Sequence, residues 1–164
     1  MEEIFGFTQH PDTSLRISQP DDCVFLEELF CANIAAKFPV VDAEIKKQLI
    51  ELQYKARQTA YASDYPNATV YMIERHKKPI GVIQLDLHKN SLRIINIEIH
   101  PNHQNMGVAP RIIQLLQGKC SSLGILIELS VANKNSHAIR LYQKTGFQIA
   151  TLGAVYTSMI WTPE

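Results

Sequence analysis

Three groups of residues in this 164-residue chain have the types and spacing to do chemistry. The first is the run His103-Gln104-Asn105-Met106-Gly107-Val108-Ala109, set between an extended stretch ending at Pro101 and an amphipathic helix carrying Ile112, Ile113, Leu115 and Leu116. A strand that turns through a small residue into a helix leaves several backbone N–H groups aimed into one concavity, and the helix dipole adds positive potential there. A pyrophosphate is the natural guest. Gly107 lets the backbone approach phosphate oxygens, Ala109 keeps the second position small, and Pro110 falls in the first turn, where its missing N–H costs little. No Walker lysine follows the glycine and no GxGxxG run is present, so the two best-known phosphate loops are excluded. A purely structural strand–turn–helix is the competing reading of this segment taken alone.

The second group is Asn135-Ser136-His137-Ala138-Ile139-Arg140-Leu141-Tyr142-Gln143-Lys144-Thr145-Gly146-Phe147. Asn135 has the chemistry to cap a helix with Ala138, Leu141 and Tyr142 on one face, and Gly146 stops that helix before Phe147 begins a strand. Asn135 and Tyr142 stand seven residues apart, two turns on one side, so an amide and a phenol can serve one ligand. The third is Glu98, the carboxylate of the apolar run Ile94 to Ile99. Strand alternation puts it opposite Ile97 and Ile99, toward either solvent or a cleft. His100 and His103 are further candidate bases, with surface positions in the turn as their plainer reading.

The elements that must position these residues follow from periodicity. Leu15 to Ser18 is a short strand. Asp21 or Asp22 caps a helix with Val24, Phe25, Leu26, Leu29, Phe30, Ile34 and Ala35 as its apolar face, interrupted by Pro39. Asp42 starts a second helix whose Ile45, Leu49, Leu52 and Ala56 recur at helical spacing, running past Tyr61 toward Pro66-Asn67. The period then becomes extended: Thr69 to Glu74, Pro79 to Leu87 and Leu92 to His100 form an antiparallel meander. Gly107 to about Ser122 is a helix, Ile125 to Ala132 a strand, Ser136 to Thr145 a helix, and Phe147 to Leu152 and Val155 to Trp161 two last strands. This order predicts one mixed α/β domain over residues 1–164, with a mostly antiparallel central sheet of about seven strands and about four helices.

The two motifs resemble those of the GNAT superfamily of N-acetyltransferases. The pattern Q/R-x-x-G-x-G/A is met by Gln104, Gly107 and Ala109, and N-x-x-A-x-x-L-Y-x-x-x-G-F is met at every fixed position from Asn135 to Phe147. The intervening helix and apolar strand give the right separation, and the likeness is sharp from about Leu92 to Phe147. The resemblance implies that the backbone amides of Gln104, Asn105, Met106, Gly107, Val108 and Ala109 hold the pyrophosphate of acetyl-CoA. It implies that the strand Ile97 to Ile99 pairs with the pantetheine arm, that Asn135 meets the same arm, and that Tyr142 lies near the sulfur as proton donor to the departing thiolate. Glu98 is the candidate base for an amine that attacks the thioester directly. The family does not keep its base at one position, so the resemblance does not choose between Glu98, His100 and His103. A CoA-binding sensor or regulator without turnover is the alternative of a different class.

Composition bounds the partners. Lys plus Arg and Asp plus Glu number 16 each, so net charge is zero, and the largest basic cluster is the turn Arg75-His76-Lys77-Lys78. Neither nucleic acid nor a membrane surface is expected as a partner, and no stretch reaches the roughly 18 apolar residues of a spanning helix. The N-terminus, with Glu2, Glu3 and Pro11, lacks the pattern of a signal peptide. Cys23, Cys31 and Cys120 form neither a CxxC pair nor an even set, so no metal is expected, and buried free thiols suggest the cytoplasm. The acceptor is expected to be an amine, on a small molecule or on a peptide or protein. Glu27, Glu28 and Asp42 are candidates to line a site for it. A homodimer through Val155 to Trp161 as an edge strand is a further expectation.

Overall fold

A computed structural model describes residues 13–34 and 42–163. Its seven strands and four helices follow the order β1 (Ser14–Ile17), α1 (Cys23–Ile34), α2 (Ala43–Asp64), β2 (Thr69–Arg75), β3 (Lys78–Leu87), β4 (Ser91–Ile99), α3 (Val108–Leu123), β5 (Leu126–Ala132), α4 (Ser136–Lys144), β6 (Gln148–Leu152) and β7 (Tyr156–Trp161). They form one sheet of order β1-β2-β3-β4-β5-β7-β6, antiparallel except where β4 meets β5. The mixed α/β class and mostly antiparallel sheet therefore stand as expected. The β2–β3 turn closes through His76 and Lys77, whose φ values of 51° and 62° give the two left-handed residues that suit a tight hairpin.

Register sorts side chains onto two faces. Ile17, Tyr71, Ile83 and Ile97 are successive cross-strand partners, and they join a core with Ile112, Ile113 and Leu116 of α3. The next row, Arg16, Met72, Val82 and Glu98, points to the opposite face. There α1 packs on β3 and on α2. A bulge at Ile95 governs which of these faces Glu98 joins: Gln84 pairs with Asn96 while Leu85 pairs with Ile94, leaving Ile95 over. Strict alternation from the buried Leu92 and Ile94 would drive Asn96 and Glu98 into the apolar core. The extra residue flips the parity, so Ile97 and Ile99 take the core side and Glu98 the other.

Three expectations need correction. The face of α2 that packs inward carries Ile50, Tyr54, Arg57 and Tyr61, while Ile45 and Leu52 are exposed and Leu49 only half-buried. Aliphatic spacing alone misled, because aromatic rings and an arginine stem cover apolar surface as well as leucine does. Val24 of α1 is likewise exposed, whereas Leu29, Phe30 and Ile34 are buried; Ala35 and Pro39 lie outside the described residues. Finally, β7 is not an edge: it is paired on both sides, and β6, exposed along its whole length, is the outer strand.

Candidate active site

The bulge that turns Glu98 around also opens the sheet. Pairing of β4 with β5 ends at Ile94 opposite Leu129, yet β4 runs on to Ile99 and β5 to Ala132, each still held on its outer side by β3 and β7. The two inner edges therefore diverge with backbone groups that need partners. Into this gap runs a cleft of about 1180 Å³. Ile97, Glu98, Ile99, Gln104, Asn105, Gly107, Val108, Ala109, Asn135 and Tyr142 all line it; of the residues anticipated for cofactor binding or catalysis, Met106 and His100 do not.

At one end stands the N-terminus of α3. Asn105 and Gly107 are left-handed, with φ of 60° and 75°, and Gly107 occupies the cap position with no side chain capping the helix. The first intrahelical bond runs from Arg111 N–H to Gly107 C=O, so the amides of Gly107, Val108 and Ala109 have no acceptor within the helix, and Pro110 contributes none. Such a cradle fits an anion. Val108 lends its amide only, because its side chain is buried in the core. Met106 is exposed and meets Arg75 instead, whose Nη1 lies 3.6 Å from its sulfur. The basic hairpin turn thus sets a cation beside the cradle.

Across the gap, Asn135 caps α4 by accepting the amide of Ala138 at 3.1 Å on Oδ1. That leaves its Nδ2 as the donor for other work. Tyr142 is 6% exposed and packs on Phe147 with ring centroids 5.6 Å apart. Burial pushes its phenol up to about 12, so at neutral pH the hydroxyl keeps its proton.

The other end is built on Glu98. Its Oε1 accepts from Asn96 Nδ2 at 2.8 Å and from Arg57 Nη1, the latter as an ion pair. Oε2 is nearest to Asn33 Nδ2, at a long 3.5 Å. Arg57 is itself clamped, its guanidinium 4.3 Å from the Phe30 ring centroid and 5.8 Å from that of Tyr61. A polar chain ties the two ends together: Gln104 Nε2 donates to Ile99 O at 2.8 Å and to Asn33 Oδ1 at 3.0 Å. So Gln104 carries a side-chain role besides its backbone place in the turn. His103 also lines the cleft, whereas Glu27, Glu28 and Asp42 do not, and Asp42 caps α2. Arg57, Asn33, Tyr61 and Asn96 escaped the sequence reading. Only the spacing of Tyr54, Arg57 and Tyr61 along one face of α2 hinted at them.

Comparison with known proteins agrees with this geometry. The profile of the acetyltransferase (GNAT) family matches residues 34–147. Among solved structures, the PaiA N-acetyltransferase of Thermoplasma acidophilum in complex with coenzyme A superposes with a TM-score of 0.69 at 15% identity, covering 92% of this chain and 98% of that one. The spermidine N-acetyltransferase of Vibrio cholerae, in complex with coenzyme A and spermine, gives 0.63 at 23% identity, covering 93% and 96%. RimL, a ribosomal L7/L12 alpha-N-protein acetyltransferase in complex with coenzyme A, gives 0.67 at 12% identity, covering 96% and 98%. No curated protein matches. The likeness to these structures establishes the fold, and the profile, which spans both motifs, the splayed strands and Glu98, establishes that the chain belongs to the GNAT acetyltransferase family.

Proposed function

We propose that the chain transfers an acetyl group from acetyl-CoA to a primary amine, with both substrates held in the one cleft. The observation that carries this reading is the gap between β4 and β5, which has an uncapped helix N-terminus at one end and the Glu98 carboxylate at the other. When bound, acetyl-CoA supplies an activated acetyl carbonyl for the amine to attack and a thiolate as leaving group. The amides of Gly107, Val108 and Ala109 bind the pyrophosphate, and the free inner edges of β4 and β5 pair with an amide-bearing arm. Asn135 donates to that arm through Nδ2.

An ammonium has no lone pair, so the acceptor must lose a proton before or during attack. Glu98 Oε2, the less engaged carboxylate oxygen, accepts that proton directly or through a water. Backbone N–H groups freed beyond the bulge polarise the carbonyl as it gains charge. Tyr142, kept protonated by burial, donates to the departing sulfur. Holding both reactants in one place supplies much of the acceleration. The free thiols of Cys23, Cys31 and Cys120 support a reducing compartment such as the cytoplasm, although Cys23 is exposed rather than buried.

The deciding experiment is thermal unfolding with acetyl-CoA, NAD and ATP in turn, followed by free-thiol release against a panel of amines. At a hundredfold excess over Kd a ligand adds about 2.7 kcal/mol, a rise of roughly 5–10 °C for a chain of this size. A shift with acetyl-CoA alone, followed by turnover of an amine, is the expected result. A shift without turnover of any amine would leave a CoA-binding regulator. No shift at all would remove both readings.

A further inference from the structure

The acceptor end of the cleft has a charge arrangement that selects among amines. The charged side chains lining the cleft are Arg57, Arg93, Arg140 and Lys144 against Asp64 and Glu98. Arg93 is turned away to Glu128, 3.1 Å from its carboxylate. A chain of ammonium groups would need more anionic partners than this. What the site offers instead is one cation and one anion side by side.

Their free atoms are specific. Arg57 spends Nη1 on Glu98, and its Nε is buried without an acceptor. Its Nη2 has no acceptor among the described residues. Nε and Nη2 lie along one edge of the guanidinium, and the burial of Nε leaves Nη2 as the donor there that an incoming carboxylate can reach. Phe30 and Tyr61 hold the group in place, so little ordering is left to do when a ligand arrives. Next to this edge, Glu98 Oε2 has only a 3.5 Å contact with Asn33 to fill it.

We propose that the acceptor is a zwitterionic α-amino acid, its carboxylate taken by Nη2 of Arg57 and its amine by Oε2 of Glu98. This rests on the acetyl-transfer reading above and deepens it. An α-amino acid carries its amine and carboxylate on one carbon, so a contiguous Arg–Glu pair matches it, as it cannot match a simple alkylamine. Arg57 is a specificity-determining residue in this scheme. It binds the unreacting end of the substrate, and its loss raises KM far more than it lowers kcat.

The test pairs leucine, phenylalanine, tyrosine, histidine and lysine each with its decarboxylated amine, reading CoA thiol release at saturating acetyl-CoA. At least one amino acid should exceed its amine partner by tenfold or more in kcat/KM, mostly through KM. Arg57→Met should bring that ratio close to one while the acetyl-CoA thermal shift persists, and Arg57→Lys should recover part of it. Amines that match or outdo their amino acids on the wild-type protein overturn the proposal, whatever the variants do. If no compound of either kind is turned over, the acetyl-transfer reading has failed. Calorimetric titration of the same pairs into the CoA-saturated protein then decides the inference alone. Binding of an amino acid tenfold tighter than its amine sustains it; equal binding, or none, ends it.

Discussion

The two ends of the cleft are made in different ways. The cofactor end is local and mostly backbone: the left-handed Asn105 and Gly107, three amides of a helix N-terminus, and an asparagine capping the next helix. The acceptor end is long-range and mostly side chain. Glu98 meets Arg57 from 41 residues away and Asn33 from 65, and Asn33 meets Gln104 across 71. A backbone cradle tolerates many side chains around it, whereas a side-chain cluster changes with each residue. One end can therefore keep binding a constant cofactor while the other is altered to suit a new acceptor.

The largest effect should come at the acceptor end. Glu98→Gln keeps the shape but loses the proton acceptor, and turnover should fall by roughly 10²–10⁴. The thermal shift given by acetyl-CoA should survive. The unliganded protein should unfold at a lower temperature, because Arg57 keeps its position and loses its charge partner. Turnover within threefold of wild type would transfer the base role to another group. Tyr142→Phe follows, with a fall in kcat of about 10²-fold on the scale of a lost general acid. The packing on Phe147 should persist, so stability should hardly change. Because burial raises this phenol to about 12, any alkaline loss of activity due to it should appear near pH 12 rather than near the ordinary 10.

Gly107→Val attacks the other end. A Cβ at Gly107 meets nothing within 4 Å, so the substitution creates no clash, and its cost is the left-handed φ of 75°. That strain is about 1–2 kcal/mol and is relieved by turning the peptide, which re-aims the amides of the cradle. Acetyl-CoA should bind about tenfold more weakly, consistent with about 1.4 kcal/mol, while KM for the amine stays as it was. Isothermal titration and steady-state kinetics measure the two separately. If both constants worsened together, the ends would be coupled through Gln104 and Asn33, and the comparison would have to be redrawn.

The same contrast explains what could be read from the sequence. The order of elements along the chain, the α3 turn, the Asn135 cap and the place of Tyr142 were legible because each is coded by neighbours within a dozen residues. Glu98 was placed opposite Ile97 and Ile99 correctly, yet the bulge at Ile95 that makes this compatible with a buried Leu92 and Ile94 leaves no local mark. Arg57 was hidden for another reason: it lies on a helix whose most aliphatic stripe, Ile45 and Leu52, is exposed. An ion pair between residues 41 apart exists only after the sheet and helix have met. The outer position of β6 was equally illegible, since the order of β6 and β7 is set by which one pairs with β5, a contact between strands distant in the chain.

The smallest effect concerns stability and the acceptor half as a body. Arg16 of β1 holds both oxygens of Asp22, at 2.6 and 2.7 Å, and reaches Glu74 of β2 at 2.7 Å, pinning the start of α1 to the sheet edge. The hydrogen bond from Arg16 lowers the Asp22 carboxyl from 3.8 to about 2. A depressed folded-state value means that the unfolded chain takes up the proton first as pH falls. The stabilisation is therefore complete above about pH 4 and is lost as the pH drops toward 2. With Arg16 partly exposed and screened, about 1 kcal/mol is at stake. Amide exchange should register this as faster opening of β1 and α1 at pH 3 than at pH 5, with the core strands β3, β4 and β5 changing less. Asp22→Asn should produce the same opening at pH 5 and remove most of the further change at pH 3. Equal acid opening of α1 and α3 would mean that the two halves unfold as one unit, with the division between them confined to ligand binding.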